Sequence, residues 1–241
     1  MSAIKDSIKR GFKSLGFTVD TRDRLAEQIP ANYLRSAYLP PIYRQSVPRL
    51  IYFERMFSRI GAIEGDVVEC GVSIGTGILN WCLLCELARS ERHVFGYDSF
   101  SGFPPSAEAD RKSDGAFQTE RGDYASPPEL VMKILEEGGV TPGFRRDHVR
   151  LVRGYFETTV PGHARPIALL HLDCDLYDSY KTCLAHLFDL VRPGGIVMFD
   201  EYEDSRFPGA KQAVDEFLTR RVEKPRPYSE YGYLKYYVVK A

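Results

Sequence analysis

Between residues 65 and 220 the chain keeps repeating one pattern: a short apolar run, a turn, then a segment of helical periodicity. Val67-Val-Glu-Cys-Gly71, His93-Val-Phe-Gly-Tyr-Asp98, Val149-Arg-Leu-Val-Arg153 and residues 167–172 and 195–199 read as strands. Residues 78–89, about 177–191 and 209–220 read as the intervening helices. Nearly continuous apolar runs suit strands covered on both faces, and strand–helix alternation calls for right-handed crossovers. The expectation is therefore an α/β fold with a doubly wound, mostly parallel sheet. The tail Tyr233-Leu-Lys-Tyr-Tyr-Val-Val-Lys240 is β-prone and follows a turn region with two prolines. It is expected to close the sheet as an antiparallel strand at one side.

Two stretches fall outside this rhythm. Residues 1–60 read as short helices broken at Pro30, Pro40-Pro41 and Pro48, a segment expected to act as a lid or in oligomerisation ahead of a domain at 61–241. Within it Ile4, Ile8, Phe12 and Leu15 share one helical face, which suits packing on the domain or a partner subunit better than a membrane surface. Residues 100–148 form a long excursion between two strands. Ser126-Pro-Pro-Glu129 looks like a capping box opening one helix there, and Gly138-Gly139 stops it. The polar remainder, Gly102 to Gly122, is too long for a simple connection and reads as a lid.

Composition excludes several classes of function. A net charge of −1 gives no basic surplus for nucleic acid. No apolar run approaches the roughly 18 residues of a membrane span. Five cysteines, an odd number in mostly apolar surroundings, point to reduced thiols and a cytoplasmic location. Cys82-Leu-Leu-Cys85 has no second pair and no adjacent histidines, so it reads as core packing.

The chemistry gathers where two apolar runs end. Asp173 follows one run, and Asp200 and Glu201 follow the next. Neighbouring strands lie about 4.8 Å apart, so these carboxylates can reach one ion. Clustered carboxylates repel unless a cation or shared protons hold them together. Oxygen donors without cysteine or paired histidine suit Mg²⁺, Mn²⁺ or Ca²⁺. Helix capping is the competing role for Asp173 and for Asp175. His171 is expected to be a satisfied buried residue, and His163 a loop residue.

A second signal precedes the first helix. Gly71-Val-Ser-Ile-Gly75-Thr-Gly77 follows a strand and opens a helix, as ligand-approaching loops do, although its spacing is not GxGxxG. Asp98 ends the second strand, where a carboxylate can accept from both hydroxyls of a ribose. Loop and acid together fit NAD or S-adenosylmethionine equally.

Five segments occur in a fixed order: Gly65-Asp-Val-Val-Glu-Cys-Gly-Val72, Tyr97-Asp-Ser-Phe-Ser-Gly-Phe-Pro104, Gly154-Tyr-Phe-Glu-Thr-Thr-Val-Pro161, His171-Leu-Asp-Cys-Asp-Leu-Tyr-Asp-Ser179 and Pro193-Gly-Gly-Ile-Val-Met-Phe-Asp-Glu-Tyr202. Together they resemble the macrocin O-methyltransferase (TylF-type) family, and residues 209–217 resemble its C-terminal segment. The resemblance implies a class I methyltransferase fold, Rossmann-like with seven mostly parallel strands, preceded by an N-terminal helical lid. It implies S-adenosylmethionine as donor, Mg²⁺ (or Mn²⁺) as metal, a sugar hydroxyl as acceptor, and a homo-oligomer. Carried onto this chain, Glu69, Gly71 and Thr76 would hold the methionine part, Asp98 the ribose, and Ser99, Phe100, Tyr155 and Phe156 would lie near the adenine. The chain departs from many relatives at Ser73-Ile74, at Phe103, and in having Asp-Glu rather than Asp-Asp at 200–201.

Residues 100–147 contain no histidine to serve as a base. Asp175 is the candidate general base, because two residues past Asp173 it faces the same side if the chain stays extended. A catechol or phenol acceptor uses the same metal chemistry. An NAD-dependent oxidoreductase has no use for three carboxylates, and a non-enzymatic adenosine-ligand binder leaves them equally unexplained.

Overall fold

The computed structural model describes residues 46–241, so the expected amphipathic face at Ile4 to Leu15 and the breaks at Pro30 and Pro40-Pro41 lie outside the described residues. Seven strands form one sheet: β1 Asp66–Cys70, β2 Val94–Asp98, β3 Val149–Arg153, β4 Ile167–Leu172, β5 Val191–Phe199, β6 Arg226–Glu230 and β7 Tyr233–Val239. Their spatial order is β3-β2-β1-β4-β5-β7-β6. The first five run parallel, and β7 lies antiparallel to both β5 and β6. The helices are α1 Ser46–Arg59, α2 Thr76–Leu87, α3 Pro128–Glu137, α4 Pro142–His148, the single turn α5 Phe156–Thr159, α6 Tyr177–Leu187 and α7 Pro208–Leu218.

The two central strands explain why the pattern was readable. Every residue of β1 (Asp-Val-Val-Glu-Cys) and of β4 (Ile-Ala-Leu-Leu-His-Leu) is buried, as expected for strands covered on both faces. Strand β6 was hidden in what reads as a turn region. Its sequence, Arg-Pro-Tyr-Ser-Glu, buries only Tyr228, and Pro227 removes a ladder donor, which an edge strand tolerates. β7 is therefore one strand inside the edge rather than at it.

Helix α1 belongs to the same compact unit as the sheet. It buries Tyr52, Phe53, Met56 and Phe57, with Phe53 stacked on Trp81 of α2 at 4.2 Å and 17°. Pro48 does not break the chain as expected. It sits in the first turn of α1, where a missing N–H is unneeded. Cys82 and Cys85 are free and buried in α2, consistent with packing.

The excursion differs from its sequence reading in two respects. Helix α3 starts at Pro128 with Pro127 as N-cap and no side-chain cap. The Ser126 hydroxyl donates instead to the Ser73 carbonyl at 2.7 Å, tying the excursion to the glycine loop. A second helix, α4, follows, capped by the Thr141 hydroxyl accepting from Phe144 N at 3.3 Å. Replacing Phe53 by Ala should cost about 3–5 kcal/mol through the cavity left against Trp81, measured by chemical denaturation.

Candidate active site

In an open parallel sheet the crevice outside the carboxyl ends of the strands opens where the strand order reverses. Here that point lies between β1 and β4, and a cleft of about 380 Å³ occupies it. Gly71 makes the crossing possible. Its φ is 94°, and a Cβ there would lie 1.7 Å from the Asp173 carbonyl oxygen, so only glycine lets the two strand exits pass. The ladder continues past the strand ends: Asp173 N donates to Cys70 O and Asp200 N to Leu172 O, both at 2.9 Å. These bonds place Asp173 beside the exit of β1 and Asp200 beside that of β4.

One end of the cleft is lined by Glu69, Gly71, Thr76, Asp98, Ser99, Tyr155 and Phe156. Phe100 is the exception among the residues expected there. It is 5% exposed, has a φ of 52°, and its ring turns into the core instead of the cleft wall. Asp98 Oδ2 accepts from Val72 N at 2.8 Å and Ser73 N at 2.9 Å, while Oδ1 accepts from Phe100 N at 2.7 Å. A carboxylate offers about four acceptor positions, so this one organises the loop and keeps room for one further hydroxyl rather than two. Glu69 is buried against the start of α2, where a Cβ on Gly77 would meet its Oε1 at 1.9 Å. Burial raises its pKa, and the bond to His171 opposes that rise.

The other end gathers the acids. Asp173, Asp175, Asp200 and Glu201 all line it, and ligand atoms of Asp173, Asp200 and Glu201 lie within 4.8 Å of one another. Asp175 arrives by a different route than expected. The chain does not stay extended: Asp175 has a φ of 60°, and this left-handed turn directs it to the cleft. Neither Asp173 nor Asp175 caps α6. Its N-cap is Leu176 without a side-chain bond, and Tyr177 N donates to Asp110 Oδ1 at 2.7 Å. Asp110 comes from the excursion and also accepts from Ala107 N, so it fastens the excursion onto the helix that follows the Asp173 loop. The spacing of the acids in the chain gave no sign of this bond.

Sequence reasoning also missed the cations. Arg49 Nη2 donates to Asp173 Oδ2 at 2.9 Å, and Lys235 Nζ donates to Asp200 Oδ2 at 2.7 Å and to its carbonyl at 2.6 Å. His171 is wholly buried between Glu69, at 3.0 Å from Nδ1, and Asp200, at 3.8 Å from Nε2. The second separation is charge attraction beyond hydrogen-bond reach. Burial lowers the His171 pKa, but Asp200 and Glu69 outweigh it and push it up to about 9. Asp200 is held well below its ordinary value: burial opposes this, and His171, Arg49 and Lys235 prevail. Glu201 and Asp175 go the other way. Burial raises Glu201, reinforced by Asp175 and Asp173; burial raises Asp175, reinforced by Asp173 and Asp200.

Five carboxylates, Glu69, Asp173, Asp175, Asp200 and Glu201, thus face Arg49, His171 and Lys235, while Arg206 on the same cleft wall is paired with Asp204. The deficit is two positive charges, which two protons or one divalent ion can fill. Glu69 Oε2, His171 Nε2 and Asp200 Oδ1 are buried without a hydrogen-bond partner among the described residues. Oxygen donors at this spacing, with that deficit, fit a hard divalent ion. His171 is therefore only half satisfied, contrary to expectation. His163 is buried, with Nδ1 2.8 Å from the Tyr97 hydroxyl, and stands away from the cleft.

Residues 49–226 match the macrocin-O-methyltransferase (TylF) family. The chain belongs to that family. The mycinamicin III 3''-O-methyltransferase of Micromonospora griseorubida is 28% identical over 66% of this chain and 62% of its own. A tetracenomycin-C 4'-O-methyltransferase of Streptomyces olivaceus, acting on a dimethoxy-rhamnosyl derivative by its name, is 33% identical over 66% of this chain and 59% of its own. The chain thus spans less than two thirds of the length of these curated relatives. The crystal structure of a calicheamicin methyltransferase superposes with a TM-score of 0.74 at 22% identity, covering 93% of this chain and 95% of that one. The sheet described above is accordingly the class I methyltransferase fold of the TylF family. Asp110→Ala should destabilise the protein by about 1 kcal/mol through loss of the α6 cap, and hydrogen exchange should show the Tyr177 amide losing protection.

Proposed function

We propose that this TylF-family chain transfers a methyl group from S-adenosylmethionine to a sugar hydroxyl of a glycoside, with Mg²⁺ or Mn²⁺ at the acidic end of the cleft. One observation carries the reading: a charge-deficient acid cluster shares a single cleft with a glycine-turn, acid-tipped donor end. The names of the relatives, a mycinamicin III 3''-O-methyltransferase and a rhamnosyl-tetracenomycin-C 4'-O-methyltransferase, support it.

The donor supplies a methyl group already activated on a sulfonium, and a bound divalent ion would lower the pKa of an alcohol held beside it. Asp173, Asp200 and Glu201 would hold that ion. Glu69, with one unpartnered buried oxygen, faces the cationic methionine part. Asp98 contributes its remaining acceptor position to the ribose, and Gly71 and Thr76 shape the turn around it. Ser99, Tyr155 and Phe156 border the adenine; the position of Phe100 leaves it out of that role. Asp175 is the base. Burial, reinforced by Asp173 and Asp200, raises its pKa, so its readiness to accept a proton follows the charge balance of the cluster.

A catechol acceptor is the alternative at the same site. The polar groups of Gln118, Asp123 and Arg206 on the cleft wall favour a polyol over a flat ring. Asp173→Asn and Asp200→Asn should each lower methyl transfer to glycosides by at least ~100-fold, while S-adenosylhomocysteine still binds by calorimetry. Full turnover in EDTA would refute the metal. Adding Mg²⁺ to the protein in weak buffer at neutral pH should release protons, because burial and neighbouring acids raise the pKa values of Asp175 and Glu201 and a bound cation would lower them.

A further inference from the structure

Each of the three clustered acids has one oxygen engaged by a side chain from a different element. Arg49 of α1 donates to Asp173 Oδ2 at 2.9 Å. Lys235 of β7 donates to Asp200 Oδ2 at 2.7 Å. The Tyr180 hydroxyl of α6 lies 2.7 Å from Glu201 Oε2 and 2.9 Å from the Leu172 carbonyl, and Asp175 N donates to the same Glu201 oxygen at 3.3 Å. No described residue hydrogen-bonds the second oxygen of Asp200, which is buried 3.8 Å from His171 Nε2. A hydrogen bond to one oxygen of each carboxylate is the arrangement by which outer partners orient metal ligands.

We propose that Lys235 is a positioning residue for the divalent ion: it fixes the Asp200 carboxylate through Oδ2 and leaves Oδ1 without a hydrogen bond, as Arg49 and Tyr180 hold one oxygen each of Asp173 and Glu201. The inference rests on the metal reading above. Lys235 is well placed for the task. It grips the carboxylate and the backbone carbonyl of Asp200 together, which sets both the side-chain rotamer and the path of the strand exit. It is 16% exposed, so its ammonium is shielded from competing water. It also comes from the antiparallel strand, far from the acids in sequence.

The alternative, that Lys235 is only a counter-charge, predicts the opposite sign. By Coulomb's law alone, deleting a cation beside Asp200 should strengthen attraction for a second cation. Mn²⁺ binding, followed by the loss of its free-ion EPR signal, separates the two in the wild type, Lys235→Met and Lys235→Arg. Lys235→Met should bind Mn²⁺ at least ~10-fold more weakly. Lys235→Arg should recover most of that loss, and S-adenosylhomocysteine affinity should be the same in all three, showing an intact donor end. Equal or tighter Mn²⁺ binding by Lys235→Met overturns the proposal. Should Lys235→Met also lose S-adenosylhomocysteine binding, Tyr180→Phe applies the same test at Glu201, where unchanged Mn²⁺ affinity overturns the shared positioning scheme. A wild type that binds no Mn²⁺ refutes the metal reading itself, a distinct result.

Discussion

Mutual repulsion among carboxylates at the reversal point of the sheet is the constraint around which the site is built. Backbone ladder bonds bring Asp173 and Asp200 to adjacent strand exits, and the glycine at 71 lets those exits pass at close range. Having forced negative charges together, the fold supplies partial relief from three directions: α1 through Arg49, β4 through His171 and β7 through Lys235. Relief is incomplete, and burial together with the neighbouring acids raises the pKa values of Asp175 and Glu201. The opposite wall of the cleft, built on Asp98 and the turn it ties down, is organised by backbone amides and keeps little spare capacity.

The two ends are not independent. His171 lies between the Glu69 carboxylate and the Asp200 carboxylate at the acidic end, while Phe53 and Trp81 meet its ring edge to face. The aromatic stack that anchors α1 is therefore also the wall that keeps this imidazole dry. In such surroundings a charged ring is retained only because acids flank it on both sides. Packing and electrostatics at this point are one arrangement.

What could be read in advance follows from how each feature is encoded. The parallel strands β1 and β4 were legible because burial on both faces demands unbroken apolar runs. The acids were legible because they directly follow those runs. Strand β6 was not, since an edge strand with one buried residue and a proline carries no periodic signal. Arg49, Lys235 and Asp110 were illegible for a related reason. Each acts across 35 to 124 positions of sequence, through contacts that only tertiary structure creates. Asp175 shows a subtler limit: its place at the cleft was anticipated from alternation, yet a left-handed turn delivers it there.

The antiparallel position of β7 has a consequence for biogenesis. A ribosome releases the parallel half of the sheet, with every clustered acid, before the strand that bears Lys235 emerges. Until that strand docks beside β5, Asp200 lacks its ammonium partner and the nascent centre carries excess negative charge. Maturation of the catalytic pocket and closure of the sheet thereby become a single event, and a chain halted short of this strand would present an acidic scar where a working site should be.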